Sequence, residues 1–283
     1  MSRPDQNKRI GPALLRRWPL PLKTGDKDAR GTVLVVAGAP HLPGTVLLAA
    51  VSTLRAGAGK LQIATAPEIA PHIGIAMPEA LVVSFADARK YAERADAVVF
   101  GPGMEPSKAT ATLLRDLLKS SDARFLIDAG ALSALASDPS MIHGAAHLPV
   151  LTPHYGELAT MIGAQREHVE ANPVAHLQHA LTTFDAAIAL KGKSTYIAAP
   201  GSPIYENAGG HDGLATSGSG DTLAGIAGGL LARGADPLQA AVWSVYVHAA
   251  AGKTLGTRIG LGFLAREIPP EVPRILSQLS RQR

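Results

Sequence analysis

Residues 215–221 read ATSGSGD and lead straight into TLAGIAGGLLARG, so one carboxylate, Asp221, stands among small residues at the start of an apolar run with helical spacing. Two kinds of chemistry suit such a place. Ser219 or Asp221 could cap the helix, satisfying free N–H groups and complementing the positive end of the dipole. Gly218 and Gly220 argue for more than a cap, because glycine weakens a helix start unless backbone must approach something closely or take φ > 0. Amides exposed at such a start make an anion site, with phosphate as the natural guest. An aspartate beside phosphate is electrostatically awkward unless it accepts the proton of an attacking hydroxyl or holds a metal.

Three further stretches have the residue types to join it. LTPHYGE (151–157) places Pro153 and His154 at a predicted strand end, either as a rigid turn with a surface histidine or as part of a site. ALKGKST (189–195) puts Lys191 after a buried strand, where it is either a solvated basic turn or a partner for phosphate. VVFGPGM (98–104) has glycines that allow a tight turn or a ligand lying against backbone. Other chemistries are poorly served. Neither G-x-x-x-x-G-K-[ST] nor G-x-G-x-x-G is completed, and no G-x-S-x-G or H-E-x-x-H occurs. The pairs His143/His147 and His176/His179 lack matched ligands nearby, and with Cys 0 there is no thiol nucleophile, cysteine-based zinc site or disulfide.

The elements that must position these groups alternate. TVLVVAG (32–38) is a β-branched run closed by glycine, followed by a loop and helical spacing over 45–56. Short buried strands recur at 60–65, 80–84 and 97–103, an amphipathic helix at 107–119, and RFLIDAG and PVLTPHYGE are buried strands ending in polar or glycine residues. That order predicts an α/β domain with a mostly parallel sheet covered on both faces, and ligands beyond the carboxyl ends of the strands. Residues 186–207 suggest short strands with tight turns, antiparallel at the sheet edge. Helices are predicted at 221–233, 237–255 and 269–279. No linker divides residues 1–283, which read as one domain.

Composition agrees. Hydrophobic residues make up 46% of the 283 but aromatics only 4%, so the core must be built from Ala, Val, Leu and Ile in close-approaching elements. The net charge of +4 is scattered, without the basic stripe and stacking aromatics of a nucleic-acid surface, and suits small anionic ligands. Residues 31–54 carry no Lys, Arg, Asp or Glu, yet Pro40, His41 and Pro43 interrupt them, so no membrane segment is expected. Without an apolar leader at the start and without cysteine, the cytoplasm is the expected location.

Taken in order, VLVVAGAPHLPGTVLLAAVSTLRAGAG, VVFGPGM, LIDAGAL, LTPHYGE, LKGKSTYIAAP and NAGGHDGLATSGSGDTLAGIAGGLLARG resemble the ADP/ATP-dependent NAD(P)H-hydrate dehydratases, a branch of the ribokinase-like superfamily. The resemblance implies a three-layer α/β/α ribokinase-like fold. It also implies repair of NADH and NADPH hydrated at C6 of the nicotinamide ring (NADHX and NADPHX), with ADP or ATP as co-substrate and Mg²⁺ bridging the phosphates through ligands the sequence does not name. ADP is the expected donor, giving AMP and phosphate. In this scheme Asp221 is the catalytic base and Gly218, Ser219 and Gly220 form the anion hole, so that the stretch caps and catalyses together. Lys191, Gly192, Lys193, Ser194, Thr195 and Gly220 contact the nucleotide. Thr45, Gly103, His154 and Asp221 contact the hydrated dinucleotide. Thr45 replaces the family's usual Ala, while Leu214 and Ser217 replace a Met and a Gly. A chain of this length leaves no room for the N-terminal epimerase domain many bacterial relatives carry, so a separate epimerase is expected as functional partner. A homotetramer is implied by resemblance alone. A small-molecule kinase of the same superfamily and an adenylate-sensing regulator are the competing readings.

Overall fold

The structure is a computed structural model and describes residues 7–280. Its strands are β1 Lys8–Arg9, β2 Thr32–Val36, β3 Lys60–Thr65, β4 Ala80–Ser84, β5 Ala97–Phe100, β6 Arg124–Ile127, β7 Val150–Leu151, β8 Ala187–Leu190, β9 Thr195–Ala198 and β10 Tyr205–Asn207. They form one sheet in the order β1-β10-β9-β8-β7-β6-β5-β2-β3-β4. From β4 across to β8 every pairing is parallel. β9 then runs antiparallel to both β8 and β10, and β1 closes that end parallel to β10. The antiparallel end expected from residues 186–207 is therefore present.

The helices are α1 Pro12–Arg17, α2 Pro43–Arg55, α3 Ala70–Ala76, α4 Ala88–Ala92, α5 Lys108–Ser120, α6 Leu132–Ser137, α7 Tyr155–Ile162, α8 Arg166–Ala171, α9 Pro173–Thr183, α10 Ser219–Ala232, α11 Pro237–Ile259 and α12 Ile268–Ser280. Successive strand side chains point to opposite faces. Accordingly Val33, Val35 and Val99 join one apolar cluster with α2, α10, α11 and α12, while Leu34, Val36, Val98 and Phe100 join a second with α5, α6, α7 and α9. Helices thus cover both faces, the three-layer α/β/α arrangement expected. Helix α10 starts two residues earlier than its spacing predicted and α11 ends four residues later, at Ile259.

The packing of α10 explains its glycines. A Cβ at Gly225 would overlap the Ala49 carbonyl oxygen of α2, and one at Gly229 would lie 2.5 Å from the Thr53 carbonyl oxygen and 2.7 Å from Ala56 Cβ. The two helices therefore meet backbone to backbone, and the Thr53 hydroxyl donates across the contact to the Gly225 carbonyl at 3.2 Å. Larger residues there would force the helices apart.

Candidate active site

The carboxyl ends of four adjacent strands deliver the candidate groups. Gly101–Gly103 follow β5, Asp128 follows β6, Thr152–Glu157 follow β7 and Lys191 follows β8. Asp128 is only 2% exposed, and its Oδ1 accepts from the Thr152 hydroxyl at 2.8 Å and from Lys191 Nζ at 2.9 Å. Burying a carboxylate so deeply is tolerable because a cation and a hydroxyl answer it. Lys191 Nζ also lies 3.8 Å from Glu157 Oε2. Its backbone is fixed by an N–H bond to the Pro153 carbonyl at 2.7 Å, so the ends of β7 and β8 are locked in register.

Helix α10 aims its first turn at this cluster. Gly218, at φ +86, makes the left-handed turn into the helix that a side chain would resist. The amides of Gly218, Gly220 and Asp221 have no acceptor among the described residues. A methyl group built on Gly220 would stand 3.6 Å from Lys191 Nζ and 3.9 Å from Asp128 Oδ2, which places the glycine edge of the helix directly over the ion pair. Free donors, a helix dipole and a lysine thus converge as an anion site should. Two expectations need correction. No side chain caps α10, so neither Asp221 nor Ser219 serves as the cap. The Ser219 amide is also spent, donating to the Thr216 carbonyl at 3.2 Å, while its hydroxyl lies 3.1 Å from His248 Nε2 on α11.

The electrostatics suit proton transfer at neutral pH. Burial pushes Asp221 up to about 7, the Asp128 charge adds to the rise, and Lys191 opposes it. Burial alone would lower Lys191, but Asp128, Glu157 and Asp221 outweigh it, and its pKa ends above the ordinary value. Lys191 remains a cation and Asp221 becomes a carboxylate near neutrality, the condition a general base requires.

His154 lies at the surface, as the plainer reading expected, but it does more than turn the chain. It begins α7 as its N-cap: Nδ1 accepts from the Glu157 N–H at 3.1 Å, and Glu157 Oε2 accepts from the His154 N–H at 2.7 Å. Because Nδ1 accepts, the neutral ring carries its hydrogen on Nε2, on an imidazole left 60% exposed. Thr45 and Gly103 adjoin one another, since a Cβ at Gly103 would overlap the Thr45 hydroxyl. That hydroxyl donates to the Leu42 carbonyl at 2.8 Å. One turn further along α2, Leu48 packs against Gly218, so this wall borders the start of α10. Gly192 lies under the Tyr155 ring, leaving no space for a side chain. Lys193, Ser194 and Thr195 continue the hairpin beyond Lys191 and make no side-chain hydrogen bond among the described residues.

Asp128, Thr152, Glu157 and His248 were not assigned site roles from sequence. Asp128 and Glu157 had a signal, as polar groups ending buried strands, whereas His248 lies inside an apolar helix with no local mark. Among the described residues no group of three or more His, Asp or Glu side chains could hold a metal ion. A cavity of about 260 Å³ opens at the same edge of the sheet, lined by Arg9, Asn207, Gly209, Tyr246 and Lys253. No described helix is long and apolar enough to cross a membrane.

Known proteins resemble this chain over most of its length. The family model described as NAD(P)H-hydrate dehydratase matches residues 33–274. The ADP-dependent (S)-NAD(P)H-hydrate dehydratase of Xanthomonas campestris pv. campestris is 45% identical over 282 residues, covering 95% of this chain and 96% of that protein. The bifunctional NAD(P)H-hydrate repair enzyme Nnr of Moorella thermoacetica is 32% identical, and the match spans 98% of this chain but 55% of that longer protein. Among solved structures, the ADP/ATP-dependent NAD(P)H-hydrate dehydratase of Bacillus subtilis co-crystallised with ATP/Mg²⁺ superposes with a TM-score of 0.87 at 28% identity, covering 97% and 99% of the two chains.

Proposed function

The chain belongs to the NAD(P)H-hydrate dehydratase family, and from that premise we propose that it is an ADP-dependent (S)-NAD(P)H-hydrate dehydratase, returning hydrated NADH and NADPH to their reduced, unhydrated forms. The observation that carries the reading is Asp221, raised to about 7 in the first turn of α10 beside the Lys191–Asp128 pair. Hydroxide is a poor leaving group, so the C6 hydroxyl is first converted into a phosphate ester. Asp221 takes its proton as the oxygen attacks the β-phosphorus of ADP, and the bond to the bridging oxygen breaks to release AMP. The free amides of Gly218, Gly220 and Asp221, with Lys191, stabilise charge on the transferring group, and they cost no reorganisation because the helix start already holds them in place. The lone pair of the ring nitrogen then expels phosphate, restoring the C5–C6 double bond once a proton leaves C5.

Thr45, Gly103 and His154 wall the acceptor side, and the exposed Nε2–H of His154 is the donor offered to it. Lys191–Thr195 and Gly220 line the donor side. The cavity at Asn207 and Lys253 lies beyond that hairpin on the face of α10 and α11, and has room for the base of the nucleotide. A Mg²⁺ ion fits as a guest of the phosphates, since it needs only one or two protein carboxylates and the described residues offer no ready-made cage. Asp128 and Glu157 would face it, and it would neutralise phosphate charge. One ribokinase-like domain, a homotetramer, a separate epimerase supplying the S form, and the cytoplasm belong to the same proposal, the last accordant with a chain that has no cysteine. Incubation with the S hydrate, Mg²⁺ and ADP restores the absorbance of the reduced nicotinamide with release of AMP. No recovery with either ADP or ATP overturns the reading, and a stable phosphorylated product without elimination makes the protein a kinase.

A further inference from the structure

His248 is the one histidine among the described residues that is buried, 9% exposed, and the scheme above does not use it. It projects from α11 onto the first residue of α10. Its Nε2 lies 3.0 Å from the Ser219 carbonyl oxygen and 3.1 Å from the Ser219 hydroxyl. A carbonyl can only accept, so the hydrogen sits on Nε2 and is shared between the two oxygens. The Ser219 hydroxyl is thereby an acceptor from the ring, and its own hydrogen has no acceptor among the described residues. The Ser219 carbonyl also takes the Thr222 hydroxyl at 2.7 Å. Two donors, one from α11 and one from α10, thus converge on the Ser219 carbonyl, immediately before the free amides of Gly220 and Asp221.

We propose that His248 is a positioning residue for phosphoryl transfer: as the neutral Nε2–H tautomer it clamps the Ser219 peptide from below, setting the first turn of α10 so that the Gly220 and Asp221 amides and the Asp221 carboxylate face the transferring group. The inference rests on the dehydratase reading for its chemistry but on the helix contact for its geometry. The groups around the ring keep it in that state. Burial lowers its pKa to about 4, the nearby Lys191 charge pushes the same way, and the Ser219 carbonyl opposes them. A neutral ring adds no charge beside Asp221, and its hydrogen bond does not switch across the working pH range.

The test pairs kinetics with NMR on the full chain. His248→Leu removes both hydrogen bonds, while His248→Gln keeps an N–H donor at similar reach. If His248 positions the turn, His248→Leu lowers kcat by about tenfold or more, with KM for the hydrate changed less than about threefold, and His248→Gln recovers most of the loss. Long-range ¹⁵N–¹H spectra of the wild-type protein show one histidine fixed as the Nε2–H tautomer from about pH 5 to 9. A folded His248→Leu protein with wild-type kcat overturns the proposal, as does a spectrum in which every histidine titrates near 6.5, the ordinary value. An inactive wild-type chain would instead overturn the dehydratase reading, so the two failures are told apart.

Discussion

Replacing Asp221 by asparagine removes one charge at nearly constant volume, and its effects on activity and on stability point in opposite directions. The folded protein holds this carboxyl at about 7 against 3.8 for the free group, a rise of roughly three units. At about 1.4 kcal/mol per unit the ceiling is about 4 kcal/mol, and for a side chain that keeps partial contact with water about half of that is realistic. The sign follows from the direction of the shift. A carboxyl that prefers its proton when folded contributes stability in full below 3.8, and that stability drains away as pH rises toward 7 and is gone above it. An asparagine in its place carries no such charge. Asp221→Asn therefore gains on the wild type between about pH 4 and pH 8 by about 2 kcal/mol, or about 4–8 °C in Tm for a chain of this size. The same variant loses about 10²–10⁴ in kcat, while ADP binding measured by calorimetry changes little. In the wild type, kcat/KM climbs through an apparent pKa near 7. Thermal melts of both proteins across the pH series, set beside the rate profile, check every step. A Tm difference that stays flat with pH, or an acid limb at the ordinary aspartate value, refutes the account of Asp221.

Lys191→Met strands the carboxylate of Asp128, which is 2% exposed, so a loss of about 3–5 kcal/mol is expected in denaturant melts. It also removes the one charge that lowers Asp221, so the acid limb of the rate profile moves up. Gly220→Ala meets nothing closer than Lys191 Nζ at 3.6 Å, so Tm holds within a few degrees while the methyl intrudes on the phosphate space and KM for ADP rises about tenfold or more. Gly225→Ala collides with the Ala49 carbonyl and is expected to cost about 2 kcal/mol or more, with the nucleotide site intact in whatever folds. Gly103→Ala pushes against Thr45, and the Thr45→Ala/Gly103→Ala pair regains part of the lost hydrate affinity, because the overlapping hydroxyl is gone.

The parallel sheet was legible because its strands are apolar on both faces, and runs such as Thr32–Val36 and Ala97–Phe100 admit few other readings. Helices α5, α10, α11 and α12 announced themselves by periodicity. The short helices α3, α4, α6 and α8 did not: five to seven residues give under two turns of pattern, and α3 contains both Pro71 and Gly74. In the site, Asp221 and Lys191 stood out because strand ends and glycine loops are visible locally. The Asp128–Lys191 pair joins residues 63 apart in the chain, and His248 reaches Ser219 across 29, so those contacts exist only through the fold. The capping role of His154 was hidden by its residue type, since a capping box is ordinarily read from Ser or Thr, and here an imidazole fills that role.

The bare contact between α2 and α10 decides which parts of this enzyme can move. Helices slide past one another on a cushion of side chains with alternative rotamers, and at Gly225 and Gly229 that cushion is missing, so shear between the two is blocked. Thr45 rides near the beginning of one of these helices and Asp221 near the beginning of the other. The proposed acceptor wall and the proposed base are therefore mounted on one rigid helix pair, with a spacing set when the two helices pack.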